Sequence, residues 1–195
     1  HARHHTDTLV VGRDPEIAVP VPTDWTSVLG NLLALKSGTA ELCKIAGNVF
    51  GHLGEEEKSF VPESEWPRII TESRVFAAVW LAVMAASVAT GSILPLLFIG
   101  LPSFYGAWLY NFTGVTQHAG LPENVTDHRL NCRTVYMNPV LRFLYWNMNY
   151  HVEHHMYPMV PFHALPRLHE AIKHDTPPAY PSCWAAYREI VPALL

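Results

Sequence analysis

The sequence predicts an all-α protein: a helical hairpin in a membrane, joined to a cytoplasmic helical cap that carries two histidine clusters. Three observations lead there. Charged residues make up 15% of the chain against 49% hydrophobic ones. Soluble domains usually carry roughly 25% charge, so part of this surface is expected to face lipid. Residues 75–117 contain no charged side chain at all. The pattern HxxHH occurs twice, as His1-Ala2-Arg3-His4-His5 and as His151-Val152-Glu153-His154-His155, once on either side of that uncharged stretch.

The elements follow in order. With 195 residues the chain is long enough for one domain with a sizeable core. Residues 1–8 are a short polar stretch holding the first cluster. Pro15, Pro20 and Pro22 break any helix across residues 12–23. Thr23 or Asp24 is placed to cap a helix beginning at Trp25. From there to Leu53 the pattern is amphipathic, interrupted by Gly38, Gly47 and Gly51. These helices either lie along a membrane interface or pack as a soluble cap. Glu55, Glu56, Glu57 and Lys58 read as a solvated turn, and residues 1–74 as the cytoplasmic or interfacial part.

One membrane crossing takes roughly 20 residues, and the uncharged run is twice that length. Gly91, Ser92 and Pro95 divide it, so residues 75–117 are expected to be two transmembrane helices, near 75–90 and 93–115. Arg68 and Arg74 precede the run, and Arg129, Arg133 and Arg142 follow it, which puts both ends on the cytoplasmic side. Tyr105, Trp108 and Tyr110 fit an aromatic belt. Two crossings return the chain to its starting side, so the histidine clusters can meet. Residues 118–195 form the cytoplasmic cap, Pro-rich from Pro158, with a helix expected over residues 165–174.

On a helix, positions i, i+3 and i+4 share one face, so each cluster projects three imidazoles towards one point. Imidazole suits iron, copper, nickel and zinc. Six such ligands are too many for one tetrahedral zinc ion and favour a site for two metals. Asp7 and Glu153 lie beside the clusters as candidates to accept a hydrogen bond from a ligating ring; the plain alternative is solvated carboxylates. Asp127 and His128 form another candidate pair. His52, His163, His169 and His174 lack the spacing and read as surface or packing residues.

Other classes fit less well. A net charge of -4 with no basic run argues against nucleic-acid binding. Cys43, Cys132 and Cys183 are odd in number and far apart, which indicates reduced thiols rather than a disulfide framework or zinc ribbon. A histidine-rich metal transporter or sensor is the non-enzyme alternative. It would carry ionisable ligands inside its spans, whereas this uncharged stretch has a histidine, His118, at one end only.

The segments HARHHTDT, TQHAG and NMNYHVEHHMYP resemble the second and third histidine boxes, and the ligand region between them, of the membrane fatty-acid desaturase and hydroxylase superfamily. The likeness covers essentially the whole chain. Residues 117–166 are similar to a bacterial branch that includes rhizopine-catabolism oxygenases and rhizobitoxine-type desaturases. The resemblance implies that His1, His4, His5, His151, His154 and His155 are iron ligands, and that His118 is the extra ligand between boxes. Some relatives place an asparagine one turn before that histidine, where this chain has Gly114; Asn111 is two turns away. The family's first box, HxxxH or HxxxxH, is expected upstream of His1 with another pair of membrane helices, which makes this sequence a C-terminal fragment.

That resemblance implies a non-haem di-iron, O2-dependent desaturase acting on a fatty acyl or other aliphatic lipid chain by hydrogen abstraction. The alternative within the superfamily is a hydroxylase or monooxygenase of an alkane, a carotenoid or a small amino compound. The expected setting is a bacterial inner membrane, with the active site on the cytoplasmic side. No haem motif and no cysteine cluster for an iron–sulfur centre is present. Electrons are therefore expected from a separate partner, a ferredoxin or a Rieske-type protein.

Overall fold

Helices account for nearly all the regular structure in the computed structural model, which describes residues 1–17 and 25–195, and no strand occurs among them. The expected cap at Thr23 or Asp24 and the breaks at Pro20 and Pro22 lie outside the described residues. In chain order the helices are α1 (Ala2–Thr6), α2 (Trp25–Gly30), α3 (Leu35–Val49), α4 (Glu55–Phe60), α5 (Trp66–Thr90), α6 (Pro102–Tyr105) and α7 (Ala107–His118). The remainder are α8 (His128–Asn131), α9 (Pro139–Leu144), α10 (His151–Met156), α11 (Leu165–Ile172) and α12 (Cys183–Leu194). The chain divides into two units, residues 26–109 and residues 1–25 with 110–195.

The 26–109 unit is built on α5, whose 25 residues extend about 38 Å at 1.5 Å per residue. Much of its exposed surface is apolar. Ser73, Val83 and Ser87 are buried, while Phe76, Leu81 and Val88 are exposed. Among the described residues it is the one helix long and apolar enough to cross a membrane. The helix begins nine residues before the uncharged run, so Arg68 and Arg74 lie within its first turns and not ahead of it. It ends where the sequence says it should. Gly91 takes a left-handed φ of 60°, and the amides of Gly91 and Ser92 return to Val88 and Ser87, the C-terminal closure that glycine favours.

The second predicted crossing is not one continuous helix. After Pro95 the chain forms a π-type segment, Leu96–Gly100, in which Leu101 N–H reaches the Leu96 carbonyl at 2.8 Å. Pro102 then opens the four-residue α6, and Gly106 separates it from α7. Two prolines without an amide hydrogen prevent the i to i−4 ladder from running through. Gly38, read as an interruption, lies inside α3. A Cβ there would meet the Phe104 ring at 2.8 Å, so the glycine permits a close approach instead of a break. Residues 55–58 are also not a turn. They open α4, whose Glu57 accepts the Gly54 N–H and the Asn48 amide at 2.8 Å each.

The other unit has its core in Cys132, Val135, Val152, Leu165, Ala186 and Ile190, all at most 3% exposed. Its centre is the extended segment around Thr134. Thr134 bridges Tyr150, and Val135 bridges Tyr180. Arg133, which follows the uncharged run, does not reach the surface of its unit. It is buried, donating to the Ala119 carbonyl at 2.6 Å and to Glu189 at 3.1 Å. The expected helix over 165–174 forms as α11, and α12 adds a last helix that the sequence reading did not anticipate, packed through Ala186 and Ile190.

Candidate metal centre

Two very short helices carry the HxxHH clusters, five residues in α1 and six in α10. Each turns its i, i+3 and i+4 positions to one side, and α7 delivers His118 from its last residue. The seven histidines separate into two neighbouring groups. One ring nitrogen from each of His4, His118, His151 and His155 lies within 4.8 Å of the others, and so do those of His1, His5 and His154. The rings of His5 and His155, one from each group, stack with centroids 4.2 Å apart. An ion with bonds of about 2.1 Å sets its ligand nitrogens roughly 3.0 to 4.2 Å apart, so each group needs at most a small contraction to close on one ion.

The hydrogen bonds at the outer edges of the rings decide what the inner edges offer. His118 donates Nδ1–H to the Asn131 carbonyl at 2.8 Å. His4 Nδ1 faces both oxygens of Asp14 at 2.9 and 3.0 Å. Thr8 gives its hydroxyl hydrogen to the His4 carbonyl at 2.7 Å, so at 3.1 Å its oxygen accepts Nδ1–H from His155. All three rings are thereby fixed with Nε2 as a lone pair. Yet His118 Nε2 lies 2.8 Å from His151 Nε2, and His155 Nε2 lies 3.1 Å from the same atom. His151 has one proton to offer, and the remaining lone pairs repel at such distances unless a cation sits among them. The donor set fits a divalent metal.

Burial works in the same direction. It presses the pKa of His151 and His155 well below the ordinary imidazole range, helped by neighbouring histidines that disfavour a second positive charge. Burial followed by the proximity of His154 takes His5 down to about 4. Neutral imidazole is the form that binds metal. A family model described as fatty acid desaturase matches residues 1–187. The chain belongs to the fatty acid desaturase family. No curated protein and no solved structure matches it.

Members of this family are membrane-associated and typically di-iron, in keeping with two histidine groups side by side in this desaturase-family chain. The carboxylates beside those groups are not the ones nearest in sequence to the clusters. Asp7 pairs with Arg13 at 3.0 Å and Arg3 at 3.6 Å. Asp127 caps α8 and chelates the Arg129 guanidinium. Glu153 faces away from the histidines of both groups, towards Thr134 and His169. The rings are met instead by Asp14 at His4 and by Glu16, both of whose oxygens lie 3.1 Å from His1 Nδ1.

Asp14 and Glu16 sit in the irregular stretch after α1, where no periodicity marks them. Burial alone would raise the Asp14 pKa, but the hydrogen bonds with His4, Glu16 N–H and Leu9 N–H outweigh it and hold the carboxylate below its usual range. His128 joins Cys132 and His155 in a third possible group. The Cys132 thiol donates to Asn131 Oδ1 at 3.2 Å and burial raises its pKa, so it remains a protonated packing residue. His169, read as ordinary, is 3% exposed and hydrogen-bonded at both ring nitrogens. His52, His163 and His174 are exposed.

Proposed function

We propose that this chain carries the ligands of a non-haem di-iron centre that desaturates a fatty acyl or related aliphatic chain with O2. The observation that carries the reading is the split of seven histidines into groups of four and three, in a member of the fatty acid desaturase family. His4, His118, His151 and His155 would hold one ion, and His1, His5 and His154 the other. When bound, iron supplies the activation of O2 and the removal of hydrogen from an unactivated C–H bond.

The protein's own part is to orient and to keep dry. Asp14, Asn131 and Thr8 lock the tautomers of His4, His118 and His155 so that each presents Nε2 inward. Outer partners of this kind hold ring orientation and raise ligand basicity. A small cavity of about 40 Å³ reaches His4 and His118, lined by Leu9, Tyr110, Gly114 and Val115. The membrane reading places α5 across the bilayer and returns the chain through residues 93–117, with the histidines at the cytoplasmic face. Reducing equivalents would come from a separate ferredoxin or Rieske-type protein.

The test is mass spectrometry of lipid products from the protein supplied with fatty acyl lipids, O2 and a reduced ferredoxin. A product two mass units lighter than its substrate is expected. A product sixteen units heavier would move the assignment to hydroxylation.

A further inference from the structure

The back of α10 is as carefully built as its front. His151, His154 and His155 face the metal groups, and Glu153 points the opposite way, as its place in a 3.6-residue turn requires. That carboxylate is fully buried, at 0% exposure. A buried carboxylate without partners is strongly disfavoured, and this one has two donors. Thr134 gives its hydroxyl hydrogen to Oε2 at 2.5 Å, and His169 Nδ1 lies 2.5 Å from Oε1. His169 is itself 3% exposed, and its Nε2 lies 2.9 Å from the Tyr136 hydroxyl.

For a neutral imidazole the directions of these bonds follow from one another. With Nδ1–H given to Glu153, His169 accepts at Nε2 from Tyr136 O–H. Every side-chain donor in the set Tyr136, His169, Glu153 and Thr134 is then used. The network joins α10 to α11 and to the extended segment at Thr134.

We propose that His169 is a positioning residue for the metal centre, acting through Glu153 to fix the rotation of α10. The inference rests on the reading that the histidines of α10 bind metal. A six-residue helix has little stability of its own, and the Tyr150 side chain makes no capping bond at its N-terminus. Rotation of such a helix by about 10° would move a ring nitrogen some 6–7 Å from the axis by roughly 1 Å. Metal–ligand distances tolerate about 0.2 Å. A fixed back face keeps three imidazoles in register, and the Glu153–His169 bond ties that face to α11.

Two substitutions separate positioning from mere filling of space. Asparagine places its amide nitrogen where Nδ1 lies, and glutamine places it near Nε2. Cobalt(II) is the probe, read by its visible d–d bands and by competition with a chelator, with circular dichroism as the check on folding. His169→Asn is expected to keep the wild-type spectrum and to bind within about threefold, and His169→Gln to shift the bands and bind about tenfold or more weakly, the scale on which a displacement of roughly 1 Å at a site is felt. Wild-type bands and affinity in H169Q would overturn the inference, as would equal weakening in both variants. If H169Q does not fold, Thr134→Val removes the other donor to Glu153 and is read against the same two outcomes. A wild-type protein that takes up no cobalt would overturn the metal reading and this inference together, whereas unchanged binding in H169Q sinks the positioning role alone.

Discussion

Both carboxylate oxygens of Asp14 lie within 3.0 Å of Nδ1 of His4, and the side chains of both residues are almost wholly buried. The carboxylate also accepts the N–H groups of Leu9 and Glu16 at 2.8 Å. One residue therefore folds the turn after α1 and sets a ring of the metal centre. Asp14→Asn is expected to lower metal affinity about tenfold and Asp14→Ala by up to about 100-fold. Chelator competition measures both, and wild-type affinity in the alanine variant would show that the contact does not serve the metal.

The pH dependence of the metal-free protein follows from the lowered histidine pKa values. His5 is taken to about 4, and His151, His154 and His155 are also lowered, in each case chiefly by burial. An unfolded chain protonates these rings near pH 6.5. From there down towards pH 4 the unfolded state binds more protons than the folded one, so stability falls as pH falls. Thermal unfolding of metal-stripped protein should show a Tm that drops steadily from pH 7 to pH 4. A flat profile would mean that the rings are not held neutral.

Removing a ligand and removing a bystander should differ sharply. His154→Ala and His155→Ala are expected to lower turnover by about 100-fold or more, with folded protein still recovered. His52→Ala, His163→Ala and His174→Ala change exposed rings and should leave turnover near wild type. Similar losses across both sets would break the link between the HxxHH pattern and the chemistry.

Much of this was legible in the sequence where the signal is local. Two HxxHH patterns announce their own geometry, because a helix brings i, i+3 and i+4 together whatever surrounds it. The end of α5 at Gly91 was equally readable, since a left-handed closure favours glycine. What lay hidden depends on contacts between distant segments. Asp14 and Glu16 reach the rings from an irregular turn, and Glu153, in the middle of the second cluster, points away from its three histidines. His169 has no spacing signal and is defined by Glu153, 16 residues away. The broken course of residues 93–118 follows from Pro95, Pro102 and Gly106, which hydropathy does not weigh.

Topology can be tested by single cysteines placed near His5 and near His155 and labelled from either side of sealed vesicles. If α5 crosses the bilayer and residues 93–117 return the chain, both positions label from the cytoplasmic side. Labelling from opposite sides would separate the two clusters by the membrane and remove the shared centre.

The most direct measurement is elemental analysis of gently purified, catalytically active protein, with metal counted per chain. Two groups of imidazoles, four and three, call for two iron ions per chain, and that is the expected result. Zinc retained as the sole metal in protein that still turns over would contradict the di-iron assignment.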